Sequence, residues 1–157
     1  MGKSATIRFA ADKNVGKLAK WLRLLGFDTL YESDAPKAGT TGFWEKDRIF
    51  LTRTKKRFLG HTGLQRHIFI SSDRMADQLV EVIQTLGFVS ADLRLFSRCI
   101  RCNQPIKTVG KEEVVASVPE YVWEIHDVFK SCGSCGRVYW PGSHIERSYK
   151  MITRLFS

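Results

Sequence analysis

What this sequence lacks narrows it first. No run approaches the ~18 consecutive apolar residues that a membrane span needs, and the first residues have no long apolar core of a secretory signal. Both absences point to a cytoplasmic protein with no membrane partner. Cysteine is missing before position 99 and after 135, so the four present fall in one short region. In a reducing compartment such confined pairs are more often metal ligands than disulfides. Acidic residues are scarce too: 16 Asp and Glu against 25 Lys and Arg leave a formal charge of +9. That balance favours a polyanionic partner such as nucleic acid; the plainer alternative is a basic protein that is merely soluble. Low-complexity linkers are also absent.

What is present can fold. The 157 residues suffice for one domain of about 100 residues plus something small, and 43% hydrophobic residues with ten Phe and four Trp can bury a core. Residues 5–11 form a short apolar run ending at Asp12. A helical period follows, with Leu18, Trp21, Leu22 and Leu25 on one face, Lys13, Lys17 and Lys20 on another, and Gly26 as its stop. Further strands are expected at 27–31, 48–52 and 67–70. A second amphipathic helix runs from about Asp73 to Leu86 and closes at Gly87. Short strands alternating with helices predict an α/β fold with a parallel sheet between helical layers. The two helices end alike, in Leu-Gly-Phe at 25–27 and 86–88, which reads as shared capping chemistry and not as a repeat. Between Ser33 and Phe43 a breaker-rich loop is expected. The composition changes near Ser97, which sets a domain boundary at about 95: one domain over 1–95, a smaller one over 96–157.

Cys99-Ile-Arg-Cys102 and Cys132-Gly-Ser-Cys135 are two Cys-x-x-Cys knuckles with 29 residues between them. Four thiolates fill a tetrahedral zinc shell and leave no place for substrate, so a zinc ion here is structural. Asn103, Gly133 and Gly136 suit the tight turns of such knuckles. Residues 96 to about 148 thus read as a zinc ribbon carrying an inserted segment, Lys111 to Trp123, with a tail after it. Trp123, Tyr139 and Trp140 are expected to pack in the ribbon, although aromatics can also stack on bases.

Among the acids, Asp12 at the mouth of the first strand is the foremost candidate for divalent-ion chemistry, followed by Asp34 and Asp73. Hard cations need oxygen ligands, and acids from distant parts of the chain must converge to supply them. Asp12 and Asp73 also precede helices and would serve as N-caps; Asp34 would serve as an ordinary loop acid. Glu45 and Asp47 enter the third strand at the wrong end for a parallel-sheet site.

Asp12, the helix Gly-Lys-Leu-Ala-Lys-Trp-Leu-Arg-Leu-Leu-Gly-Phe-Asp at 16–28, Leu51-Thr52-Arg53, Ser72-Asp73, Ser97-Arg98-Cys99-x-x-Cys102 and Cys132-x-x-Cys135-Gly-Arg-Val-Tyr-Trp-x-Gly-Ser-His144 together resemble the Mut7-C family over nearly the whole chain. The resemblance implies a PIN-type ribonuclease domain, a three-layer sandwich with carboxylates at its strand ends holding one or two Mg²⁺ or Mn²⁺ ions, followed by a zinc ribbon. It assigns catalysis to Asp12, Asp34 and Asp73 and structural zinc to Cys99, Cys102, Cys132 and Cys135. One departure matters: where the family's third strand ends Leu-Leu-Thr-Arg-Asp, this chain has Thr54, which supplies no charge. Arg53, Lys55, Lys56 and Arg57, with Lys13, Lys17 and Lys20, would line a phosphate-binding face. His144, in the closing motif, reads as an edge or capping histidine, or as a contact to the nuclease domain or nucleic acid. Two functions remain open: a metal-dependent ribonuclease weakened by Thr54, and an RNA- or ribonucleoprotein-binding module that has lost efficient catalysis.

Overall fold

A computed structural model describes residues 7–34, 47–60 and 66–157. The chain divides into two compact units, Met1–Asn103 and Gln104–Ser157. In the first unit, β1 (Arg8–Ala11) leads through a 3₁₀ turn (Lys13–Val15) into α1 (Gly16–Leu24), β2 (Asp28–Tyr31) and a second 3₁₀ turn (Glu32–Asp34). Then come β3 (Arg48–Thr52), α2 (Lys55–Gly60), β4 (His67–Phe69) and α3 (Met75–Leu86). The four strands form one parallel sheet in the order β2-β1-β3-β4, with Phe9 of β1 in register with Thr29 on one side and Ile49 on the other.

Burial explains why the strands read as apolar runs and not as alternations. Every residue of β3 is buried, as are Phe9, Ala10 and Ala11 of β1. A parallel strand covered on both faces cannot afford a polar side. Leu18 and Leu22 from α1, Leu25 at its C-cap, and Leu79, Val82 and Ile83 from α3 are buried with them, at spacings of three and four. Phe27 is fully buried, meeting Phe9 edge-on and stacking on Phe88 at 4.5 Å between centroids. Burying such a ring is worth roughly 1.5–3 kcal/mol, before any gain from ring geometry.

The common Leu-Gly-Phe endings are common capping geometry. Gly26 and Gly87 take φ of 101° and 64°, and the next N–H in each case, from Phe27 and Phe88, reaches back to the carbonyls of Leu22 and Ile83 at 3.0 Å. These are the long return bonds of a Schellman-type ending, which needs a left-handed residue. The two stacked phenylalanines are therefore each delivered by a helix cap.

Three helices escaped the sequence reading. α2 occupies the basic run after β3, α4 (Glu120–Ile125) overlaps the end of the expected insertion and runs past it, and α5 (Ser143–Leu155) begins inside the expected ribbon and continues through the expected tail. The second unit also holds a 3₁₀ turn (Lys111–Val114) and an antiparallel sheet, β5-β6-β7, formed by Ile106–Val109, Phe129–Cys132 and Val138–Tyr139. Its core is small: Val114, Val122 and Phe129 are buried, with Val109, Val118, Trp123, Val138 and Trp140 packed against them. Trp123 donates its indole N–H to the Lys111 carbonyl at 2.9 Å while the Lys111 ammonium sits 4.6 Å from its ring centroid. The expected loop beyond Asp34 and Glu45 lie outside the described residues. Asp47, at the N-terminal end of β3, pairs with Arg8.

Candidate active site and metal centre

β1 lies centrally, with β2 on one side and β3 on the other, so the chain leaves the carboxyl ends of β1 and β3 in opposite directions, which makes this the switch point of the sheet. Asp12 stands there, fully buried. Its backbone N–H donates to the Leu51 carbonyl at 2.9 Å, and the Thr52 hydroxyl donates to its Oδ2 at 2.5 Å. The other oxygen, Oδ1, accepts from Arg57 of α2. Arg57 also reaches Glu32, at the end of β2: Nη1 donates to Oε2 at 2.7 Å and Nη2 to Oε1 at 3.0 Å. One guanidinium nitrogen thus contacts two carboxylates from neighbouring strand ends. Glu32 is completed by the Lys13 N–H at 3.1 Å.

This environment separates the two acids. Burial raises the Asp12 carboxyl above its ordinary range, and the adjacent Glu32 adds to that against the Thr52 hydroxyl and Arg57. Glu32 is held down at about 2, chiefly by hydrogen bonds from Arg57. Of the two, Asp12 is the one that takes up a proton more readily.

Asp12, Asp34 and Asp73, expected to share an ion, are each bonded to a different arginine. Asp34 accepts from Arg23 at 3.2 Å, and Asp73 pairs with Arg53. Asp12 stands at the N-cap of the 3₁₀ turn but makes no side-chain cap bond there, and the N-cap of α3 is Arg74, not Asp73. The acid that the structure gives to Asp12 is Glu32, which the sequence reading passed over. Its only available signal was its place at the end of β2.

The basic run is likewise divided. Phe58 of α2 packs edge-on against His67 and Phe69 of β4, which seats the helix and turns Arg57 toward the carboxylates, 5.7 Å from the Phe50 centroid. Lys55 and Lys56 are exposed, as are Lys13, Lys17 and Lys20. Arg53 is committed to Asp73, and its Nε is buried without a hydrogen-bond partner among the described residues. Thr54 accepts at Oγ1 from Asn14 at 2.8 Å, and its own N–H donates to the Thr52 hydroxyl at 3.0 Å. His144 is exposed at the start of α5.

The cysteine sulfurs of Cys99, Cys102, Cys132 and Cys135 all lie within 4.8 Å of one another, and none forms a disulfide. A tetrahedral shell at about 2.3 Å from a zinc ion spaces sulfurs about 3.8 Å apart, so these four can hold one metal ion. Among the described residues no other group of three or more Cys, His, Asp and Glu gathers this way. Both knuckles close alike: Asn103 and Gly136 donate their N–H to the Cys99 and Cys132 carbonyls at 2.8 Å, with φ of 67° and 73°. Gly133 does not use a positive φ. The Cys102 N–H points at the Cys99 sulfur at 3.4 Å. The turn at Cys99 is braced from within its own unit. The buried Arg23 donates to the carbonyls of Ile100 and Arg101, and Asn103 accepts from the Thr29 N–H while donating to Asp28 at 2.7 Å.

The first unit is an α/β domain with a parallel four-strand sheet, the class in which ligands are generally bound at the carboxyl ends of the strands beside the switch point. The family follows from comparison: residues 7–152 match the Mut7-C RNAse domain, and the chain belongs to that family. No curated protein and no solved structure matches it.

Proposed function

We propose that the chain is a metal-dependent ribonuclease of PIN-like, three-layer architecture, hydrolysing RNA at the Asp12–Glu32 pair and stabilised by structural zinc on its four cysteines. The observation that carries this reading is the convergence of both carboxylates on a single cationic nitrogen, Arg57 Nη1. A point that one nitrogen shares between two carboxylates suits one hard cation; it does not suit two. When bound, Mg²⁺ or Mn²⁺ supplies Lewis acidity toward the scissile phosphate. In hydrolysis a water oxygen bonds to phosphorus, the bond to the leaving ribose oxygen breaks, water gives up a proton and the leaving oxygen takes one. Thr52 holds Asp12 in one orientation, and the exposed Lys13, Lys17, Lys20, Lys55 and Lys56 are suited to the flanking phosphates. Asp34 and Asp73 stand apart from this pair as partners of Arg23 and Arg53. A cytoplasmic setting belongs to this proposal, since a reducing compartment keeps cysteines available as metal ligands.

Asp12→Asn and Glu32→Gln should each abolish Mn²⁺-dependent cleavage of single-stranded RNA by at least about a hundredfold while leaving circular dichroism unchanged. Cleavage that survives both substitutions would sink the reading.

Thr54 favours the second reading, a catalytically impaired RNA-binding module, because its hydroxyl is taken by Asn14 where the family resemblance implies a carboxylate. Thr54→Asp restores a hard oxygen ligand. It should raise Mn²⁺-dependent cleavage by about tenfold, a gain that Asp12→Asn removes. RNA binding that persists with no cleavage in either protein would favour the module.

A further inference from the structure

We propose that Arg57 is a displaceable internal counter-ion: it occupies the position between Asp12 and Glu32 that a divalent ion would take, and RNA phosphate draws it away. This rests on the reading of that pair as the ion site, and it adds that metal and RNA bind as linked partners. The geometry leaves little alternative for an incoming cation. Arg57 Nη1 contacts both carboxylates, and Nη2 adds a second bond to Glu32 at 3.0 Å, so the guanidinium covers the face that the two acids share. The second Asp12 oxygen already accepts from Thr52, so each oxygen of that carboxylate has a donor. A guanidinium does not deprotonate near neutral pH, so it leaves only by moving. A divalent ion arriving beside it meets like charge at close range.

The arginine also has somewhere to go. Its side chain is 30% exposed, whereas Asp12 is fully buried, so the carboxylate is fixed and the arginine is the part with a solvent side. It rides on α2, a six-residue helix that also presents the exposed Lys55 and Lys56. A phosphodiester laid across those lysines offers the same planar fork a new bidentate partner. Each ligand then assists the other: phosphate removes the competitor from the ion site, and the ion removes the carboxylates that compete for the guanidinium. Linkage requires the two enhancements to be equal.

The test is Mn²⁺ binding to the full chain, read by electron paramagnetic resonance of free Mn²⁺ with no RNA present. Arg57→Gln should bind Mn²⁺ at least about tenfold more tightly than wild type, because one adjacent positive charge is gone. Arg57→Lys, which keeps the charge but loses the fork, should fall between them and guards against a misfolded glutamine variant. Adding a short 2′-O-methyl RNA should tighten Mn²⁺ binding to wild type several-fold more than to Arg57→Gln. If wild type and both variants bind Mn²⁺ equally and Asp12→Asn removes it from all, the ion site stands and the counter-ion proposal falls. If none of them binds Mn²⁺, the ion site itself falls, and this proposal with it.

Discussion

Asp28 shows how much a single carboxylate can carry away from the candidate active site. Burial pushes it up, but bonds from Arg48 at 2.8 Å and Asn103 at 2.7 Å overcome that and hold it at about 2, against an ordinary 3.8. A carboxylate with a depressed folded-state value stabilises the fold above its unfolded value and loses that contribution as pH falls through its folded one. The difference amounts to about 2 kcal/mol, present above about pH 4 and lost toward pH 2. Asp28→Asn should therefore cost about 2 kcal/mol at pH 7 and flatten the acid limb of a urea-denaturation series between about pH 4 and 2. An acid limb as steep as that of wild type would place the acid sensitivity elsewhere. The same carboxylate receives Asn103, so a residue of β2 helps to hold the turn at Cys99.

At the scale of elements, the helix ends decide what tolerates change. A Cβ on Gly26 would lie 2.5 Å from the Arg94 carbonyl oxygen, at a φ of 101° that side chains rarely adopt. The 94–96 segment cannot retreat cheaply, because the Arg94 and Phe96 N–H groups serve the terminal carbonyls of Leu25 and Leu24. Gly26→Ala should cost about 2 kcal/mol or more in urea denaturation, whereas Gly133→Ala, with nothing within 4 Å of its Cβ, should stay within about 0.5 kcal/mol. That cap was legible in the sequence, as were β3 and the amphipathic α1 and α3, because fully buried strands and 3.6-residue periods leave a one-dimensional trace. α2 was not. Lys55-Lys56-Arg57 reads as a charge cluster, yet Lys, Arg and Leu are good helix formers, and one apolar contact from Phe58 to β4 is enough to seat the turn. Once it is helical, neighbours in sequence face different ways, so Arg57 turns to the acids while Lys55 and Lys56 stay in solvent. The expected phosphate face divided for that reason. α5 left a trace that was missed, in Ile145, Tyr149 and Ile152 at helical spacing. The Asp12–Glu32 pairing left only the place of Glu32 at the end of β2, since it depends on β2 lying beside β1.

The whole molecule distributes charge unevenly. Residues 1–103 hold 18 Lys and Arg against 10 Asp and Glu, while residues 104–157 hold 7 against 6, so eight of the nine net positive charges belong to the first unit. A polyanion is therefore drawn to the unit that bears the acid pair. The second unit depends on other forces. Only five of its hydrophobic residues are buried, Val114, Val122, Phe129, Cys132 and Ile152, a core small enough that a bound metal should matter to its stability. Metal analysis should find one zinc per chain. Cys102→Ser should lose it and melt the sheet β5-β6-β7 while the parallel sheet persists, as read by hydrogen exchange. Full occupancy of a different metal, or retention of zinc by the serine variant, would overturn the zinc assignment.

The bracing of Cys99 and Cys102 has a consequence in time. Arg23, Thr29, Asp28 and Asn103, which hold that turn, all precede the second knuckle in the chain, and a ribosome delivers them first. Were these bonds to form as the first unit emerges, half of the chelate would be in place before Cys132 and Cys135 appear. Thiols waiting in place for an ion would also be open to oxidants for that interval, so metal supply and redox surroundings would compete for the same two sulfurs.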